Sequence, residues 1–110
     1  MHTWKIMAAF AAALMVFPAL ADDVKTFDLS IKDHKFEPAM LEIPAGEKVK
    51  LKVKNLDTTP EEFESHDFNR EKVIPGGSET SIFVGPLKAG EYKFFGEFHQ
   101  DTAQGKVIVR

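Results

Sequence analysis

The sequence predicts an all-β fold, a sandwich or barrel of about seven short strands. Three observations carry this. Apolar and polar residues alternate with period two in segment after segment. No window shows apolar residues at helical spacing over a useful length. Turn-forming residues recur about every ten positions, as in antiparallel sandwiches and barrels.

Taken in order, Phe27, Leu29 and Ile31 alternate with polar neighbours and predict a strand over Val24–Ile31. Lys32-Asp33-His34-Lys35 reads as a polar turn, and Phe36-Glu37-Pro38 leads into a short strand at Met40–Ile43, with Met40 expected in the core. Pro44-Ala45-Gly46-Glu47 is a turn by composition. Val49, Leu51 and Val53 alternate with Lys48, Lys50, Lys52 and Lys54, which marks a half-buried strand with a solvated lysine face. A loop from Asn55 to Pro60 precedes a strand around Phe63, Glu61–Ser65. His66 to Ile74 is polar and reads as irregular. Strands are expected at Ser78–Val84, Glu91–Phe98 and Lys106–Arg110, separated by turns at Pro75-Gly76-Gly77 and Gly85–Gly90.

The first 21 residues read as a secretory signal peptide rather than as part of the fold. Lys5 supplies a positive start, Ile6–Phe17 is an apolar run, and Ala19-Leu20-Ala21 is a small-x-small cleavage signal. The run is too short to span a bilayer. The expected mature chain is one domain, residues 22–110, exported and not embedded in a membrane. Without Lys5, the 14 basic residues of the whole chain become 13 against 17 acidic ones, a net charge of −4. Met40 is then the only methionine, and the remaining histidines are His34, His66 and His99. There is no cysteine, so a small exported domain must rely on its core, a metal or a partner instead of disulfides. The mildly acidic, interspersed charge gives no sign of nucleic-acid binding. No nucleophile elbow and no phosphate-cradling glycine loop occurs.

The C-terminal segment carries the chemistry. Tyr92 and Phe94 are expected to face the core, Gly96 with them, while Phe95 and Glu97 face the other way. His99 falls just past the strand, and Gly105 closes the loop before Val107 and Val109. Upstream, Pro60-Glu61-Glu62-Phe63-Glu64-Ser65-His66 sets three glutamates beside a histidine. If Phe63 is buried, Glu61 shares its face and Glu62 and Glu64 take the other; a slip of one residue would exchange these roles.

Tyr92-x-Phe94-x-x-x-x-His99, followed by a short loop and Gly105-x-Val107-x-Val109, resembles the cupredoxin C-terminal signature. Phe36-x-Pro38, Ala45-Gly46 and the Val49–Asn55 run are similar to its upstream half. The resemblance spans about Val24–Arg110 and implies a cupredoxin-like Greek-key β-sandwich. In blue-copper members a cysteine precedes the histidine by three residues, and a methionine follows it. Gly96 and the Ala103–Gln104 region stand in those slots here, and a glutamate stands where the first ligand histidine is usual. A blue-copper electron carrier is therefore not expected.

Pro60–Ser65, Glu71–Gly77, Gly85–Tyr92 and Phe94–Gly105 resemble the cysteine-free cupredoxins of bacterial iron-uptake systems, of the EfeO N-terminal domain and FtrB type. That resemblance implies a periplasmic protein binding iron, copper or both, working beside a periplasmic iron-binding protein and a membrane permease. Oxidation of Fe(II) is one expected activity, and simple binding and delivery of metal is the other. The donor types agree, because carboxylate and imidazole suit Fe, Mn, Zn or Cu(II), whereas thiolate and thioether select Cu(I). The candidate ligands are His99, Glu97, Glu61, Glu62, Glu64, His66 and His34. The competing reading is a metal-free β-sandwich interaction module.

Overall fold

The computed structural model describes residues 23–110; the predicted signal segment lies outside the described residues. Nine strands form in two sheets: β1 (Thr26–Lys32), β2 (Lys35–Glu37), β3 (Met40–Ile43), β4 (Val49–Asn55), β5 (Glu61–Ser65), β6 (Arg70–Ile74), β7 (Glu79–Val84), β8 (Gly90–Phe95) and β9 (Gln104–Val109). A 3₁₀ turn, Glu97–His99, follows β8. The strand order is β2-β1-β4-β7 in one sheet and β3-β9-β8-β5-β6 in the other. The all-β sandwich expected from the alternation is thus the observed architecture. No helix among the described residues is long and apolar enough to cross a membrane.

Alternation decides which side chains fill the space between the sheets. Leu29 and Ile31 from β1, Val49, Leu51 and Val53 from β4, and Ile82 and Val84 from β7 point inward from one side. Leu41, Ile43, Phe63, Ile74, Phe94, Val107 and Val109 meet them from the other. Phe36, Phe63 and Phe94 form an aromatic knot, with ring centroids 5.0 to 6.0 Å apart. Edge-to-face and offset contacts of this kind add to what area burial alone contributes.

Four sequence expectations need correction. The sheets are not wholly antiparallel: β1 pairs with β4, and β3 with β9, in parallel. The chain changes sheets between β2 and β3 and again between β3 and β4, so a hairpin cannot join those partners. Residues 66–74 are not irregular throughout, because Arg70–Ile74 pairs along the whole of β5. This edge strand buries only Ile74, so it shows no alternation to read. Met40 is not core but 62% exposed, since Leu41 and Ile43 take the inward positions of β3. The strand predicted over Glu91–Phe98 stops at Phe95, where Gly96 turns the chain into the 3₁₀ turn.

Candidate metal centre

The loops at one pole of the sandwich bring His34, Glu61 and His99 together, with one donor atom from each within 4.8 Å of the others. They come from three places in the chain. His34 is at the tip of the β1–β2 hairpin. Lys32 pairs with Lys35, and the two residues between them, Asp33 and His34, both have positive φ, 51° and 60°. This is a two-residue turn whose backbone twist matches the flanking strands. Glu61 opens β5 on the same face as Phe63 and Ser65, all three buried. His99 ends the 3₁₀ turn, in a loop closed by Gly96 N–H donating to Ala103 O at 2.9 Å and Ala103 N–H donating to His99 O at 2.8 Å.

Glu61 is the floor of the site. Its side chain is 0% exposed, while those of His34 and His99 are 41% and 35% exposed. His34 Nδ1–H donates to Glu61 Oε2 at 2.5 Å, and His99 Nδ1–H donates to Oε1 at 3.2 Å. The two imidazoles stack with centroids 3.5 Å apart and planes 16° from parallel. The hydrogen bond to Glu61 raises the pKa of His34 above its usual value; partial desolvation opposes this, and the charges of Glu61, Asp57 and Asp33 reinforce it. A carboxylate with no solvent access is costly unless positive charge stands against it. An imidazolium or a metal ion would supply that charge here. An open cleft of about 610 Å³ lies over the imidazoles, lined also by Asp33, Asp57, Thr58, Thr59, Pro60 and Phe98.

The remaining candidates lie on the other face of β5. Donor atoms of Glu62, Glu64, Glu71 and Glu97 also fall within 4.8 Å of one another. Glu62 is 2% exposed, covered by the Gly96–Glu97 backbone, whose Glu97 N–H donates to Glu62 Oε1 at 2.7 Å. Its pKa is pushed up to about 7, first by burial and then by Glu64 and Glu71, against the opposing Glu97 amide. Glu64 Oε2 accepts from His66 Nε2–H at 2.9 Å, while its buried Oε1 has no partner. His66 itself is exposed and joins neither donor group.

The expected set is therefore divided. Glu97 does not stand beside His99; its donor atom groups with those of Glu62, Glu64 and Glu71, on the side opposite Phe94 that strand alternation gave it. Sequence reasoning missed Glu71 and Asp57. Glu71 pairs with Glu64 in the β5–β6 register, which is legible only once β6 is known to be a strand. Asp57 accepts the Asp33 N–H and the His34 N–H at 2.6 and 3.1 Å; its signal is its place between Asn55 and Pro60, which alone is weak.

The donor chemistry fits a borderline or hard metal ion. Two imidazoles and one carboxylate are the donor types of non-haem iron, zinc and Cu(II) sites. Blue copper does not fit. A Cβ on Gly96 would lie 2.8 Å from Glu62 O and 3.1 Å from Ala103 Cβ, so the slot three residues before His99 has no room for a thiolate. Ala103 is fully buried and offers no thioether.

The comparisons with known proteins agree with this architecture. The family model described as cupredoxin-like domain matches residues 5–109. An uncharacterised protein of Rickettsia prowazekii is 49% identical over 88 residues, which are 80% of this chain and 70% of that one. Auracyanin A, a blue copper protein of Chloroflexus aurantiacus, superposes with a TM-score of 0.67 at 15% identity, covering 77% of this chain and 98% of its own. The metal-binding domain of the Cu(I)-exporting ATPase CopA of Streptococcus pneumoniae, solved with Cu(I), superposes with a TM-score of 0.71 at 13% identity, covering 81% and 88%. At those identities the structures speak for the fold, while the family match covers nearly the whole sequence: the chain belongs to the cupredoxin-like domain family.

Proposed function

We propose that this protein is an exported, periplasmic metal-binding cupredoxin that holds iron or copper at His34, Glu61 and His99 and assists bacterial iron uptake. The observation that carries the metal reading is Glu61, a fully buried carboxylate with an imidazole on each oxygen. The cupredoxin-like fold supports it, and the closed thiolate slot at Gly96 favours N/O ligation over the soft set. Glu62, Glu64, Glu71 and Glu97 offer a second, all-oxygen donor group on the far side of β5.

The iron-uptake role rests on the resemblance of the Pro60–Ser65 and Phe94–Gly105 segments to cysteine-free cupredoxins of iron-uptake systems. It carries with it the periplasmic iron-binding protein and the membrane permease as partners. Carboxylate-rich ligation, as at the all-oxygen group of Glu62, Glu64, Glu71 and Glu97, favours Fe(III) over Fe(II), which suits oxidation of Fe(II) with dioxygen as the electron acceptor. The chain's own residues supply the binding floor, the two imidazoles and an accessible cleft.

Titration of the metal-free protein with Cu(II) and with Fe(II) under argon tests the metal reading. Tight one-to-one binding, lost in Glu61→Gln and weakened in His99→Ala, is the expected result. Wild-type protein that binds neither metal would leave His34-Glu61-His99 as a structural ion triad and favour the metal-free interaction module. Oxygen uptake on adding Fe(II) separates an oxidase from a carrier.

A further inference from the structure

His34 and Glu61 belong to different sheets. One side chain bridges the hairpin tip that carries His34 and the connection that leads to Glu61. Asp57, on the β4–β5 connection, accepts the Asp33 N–H on Oδ1 at 2.6 Å and the His34 N–H on Oδ2 at 3.1 Å. The same Oδ2 lies 3.5 Å from His34 Nδ1. Its carboxylate therefore grips both amides of the hairpin tip and reaches the imidazole that the tip presents. Asp57 is itself held. Its N–H donates to Asn55 Oδ1 at 2.8 Å, and its carbonyl accepts the Gly77 N–H at 3.0 Å. Buried Asn55 in turn donates through Nδ2 to Thr59 O and Ile74 O at 2.8 and 2.9 Å. The chain of bonds runs from β6, through Asn55 and Asp57, to the tip of the β1–β2 hairpin.

Asp33 and His34 both adopt positive φ without being glycine, a conformation less favoured for residues that carry a side chain, and bonds to both tip amides help to hold it. Asp57 does not take the ring nitrogen opposite Glu61, as an outer carboxylate usually does; it acts on the turn that carries the imidazole. Loss of residues that orient a ligating histidine typically weakens metal affinity.

We infer that Asp57 is a positioning residue for the metal site: it fixes the β1–β2 turn and the His34 imidazole over Glu61. The inference rests on the metal-binding reading above. It is tested by Cu(II) affinity, measured against a competing chelator, and by the electron paramagnetic resonance spectrum, in wild type, Asp57→Ala, His34→Ala and the double variant. Asp57→Ala is expected to bind about 10–100-fold more weakly, with a spectrum shifted towards that of His34→Ala. Adding Asp57→Ala to His34→Ala is expected to change affinity less than about twofold, because the imidazole it orients is gone. Asp57→Asn keeps the shape and one acceptor for two amides; it is expected to be intermediate, and it carries the test if the alanine variant does not fold. Wild-type affinity in both Asp57 variants would overturn the inference, as would a loss equally large with and without His34. Absence of binding by the wild type would overturn the metal reading itself, and this inference with it.

Discussion

Glu61 and Glu62 are neighbours in sequence, face opposite ways across β5, and are both buried. Each meets a different environment. Burial pushes the Glu62 pKa up to about 7, against 4.5 for the ordinary side chain. The native state then binds more protons than the unfolded state between those values. The stability this contributes is present below pH 4.5 and is lost as pH rises through 7. Wild type and Glu62→Gln are therefore expected to melt at similar temperatures near pH 5, with the wild type falling behind by pH 8; differential scanning calorimetry of metal-free protein checks this. His34 has the opposite bearing on metal. Its pKa is raised by Glu61, so protons compete with the ion, and Cu(II) affinity is expected to rise with pH through that titration. At Gly96 the constraint is steric. Gly96→Cys places Cβ against the Glu62 carbonyl, which should cost about 1–3 kcal/mol as other overpacked sites do. Its Cu(II) complex is expected to lack the intense blue absorption of a thiolate site.

At the scale of elements, β5 and the loop before it do most to build the site. Asn55 ends β4 buried, and its side-chain amide donates to Thr59 O and Ile74 O, with a longer contact to Pro75 O. Asn55→Ala leaves buried carbonyls without donors, a loss of about 1–3 kcal/mol measurable by urea denaturation. The strands themselves were largely legible. The Val49–Asn55 alternation and the Tyr92–Phe94 pattern are period-two signals with one apolar face, and the structure has both as strands. The same rule put Glu61 on the Phe63 face, as observed. β6 was not legible, because an edge strand exposed on both faces has no pattern to show. Met40 misled for a related reason: a short strand has two possible registers, and Met40-Leu41 alone does not choose between them.

For the whole molecule, the pole where His34, Glu61 and His99 meet joins loops from both sheets, so a bound ion would tie the sandwich together where β5 and the hairpin tip approach. An ion that binds only the native state stabilises it by about 2.7 kcal/mol at a hundred times its Kd. For a domain of this size that raises Tm by on the order of 10 °C. Cu(II) is expected to produce such a rise in wild type, a chelator to reverse it, and Glu61→Gln to abolish it.

The sequence by itself determined the all-β class, most strand positions, the absence of a thiolate site and the residue types available for ligation. These follow from alternation, turn chemistry and the lack of cysteine, which are local or compositional properties. Tertiary structure alone decided how seven candidate ligands divide. His34 reaches Glu61 because two sheets pack with their loops at one pole, 27 residues apart along the chain. Glu97 lies on the side that alternation gave it, and only the fold brings Glu62, Glu64 and Glu71 to it there. Convergence of donors is a property of packing across sheets, and no periodicity within one strand encodes it.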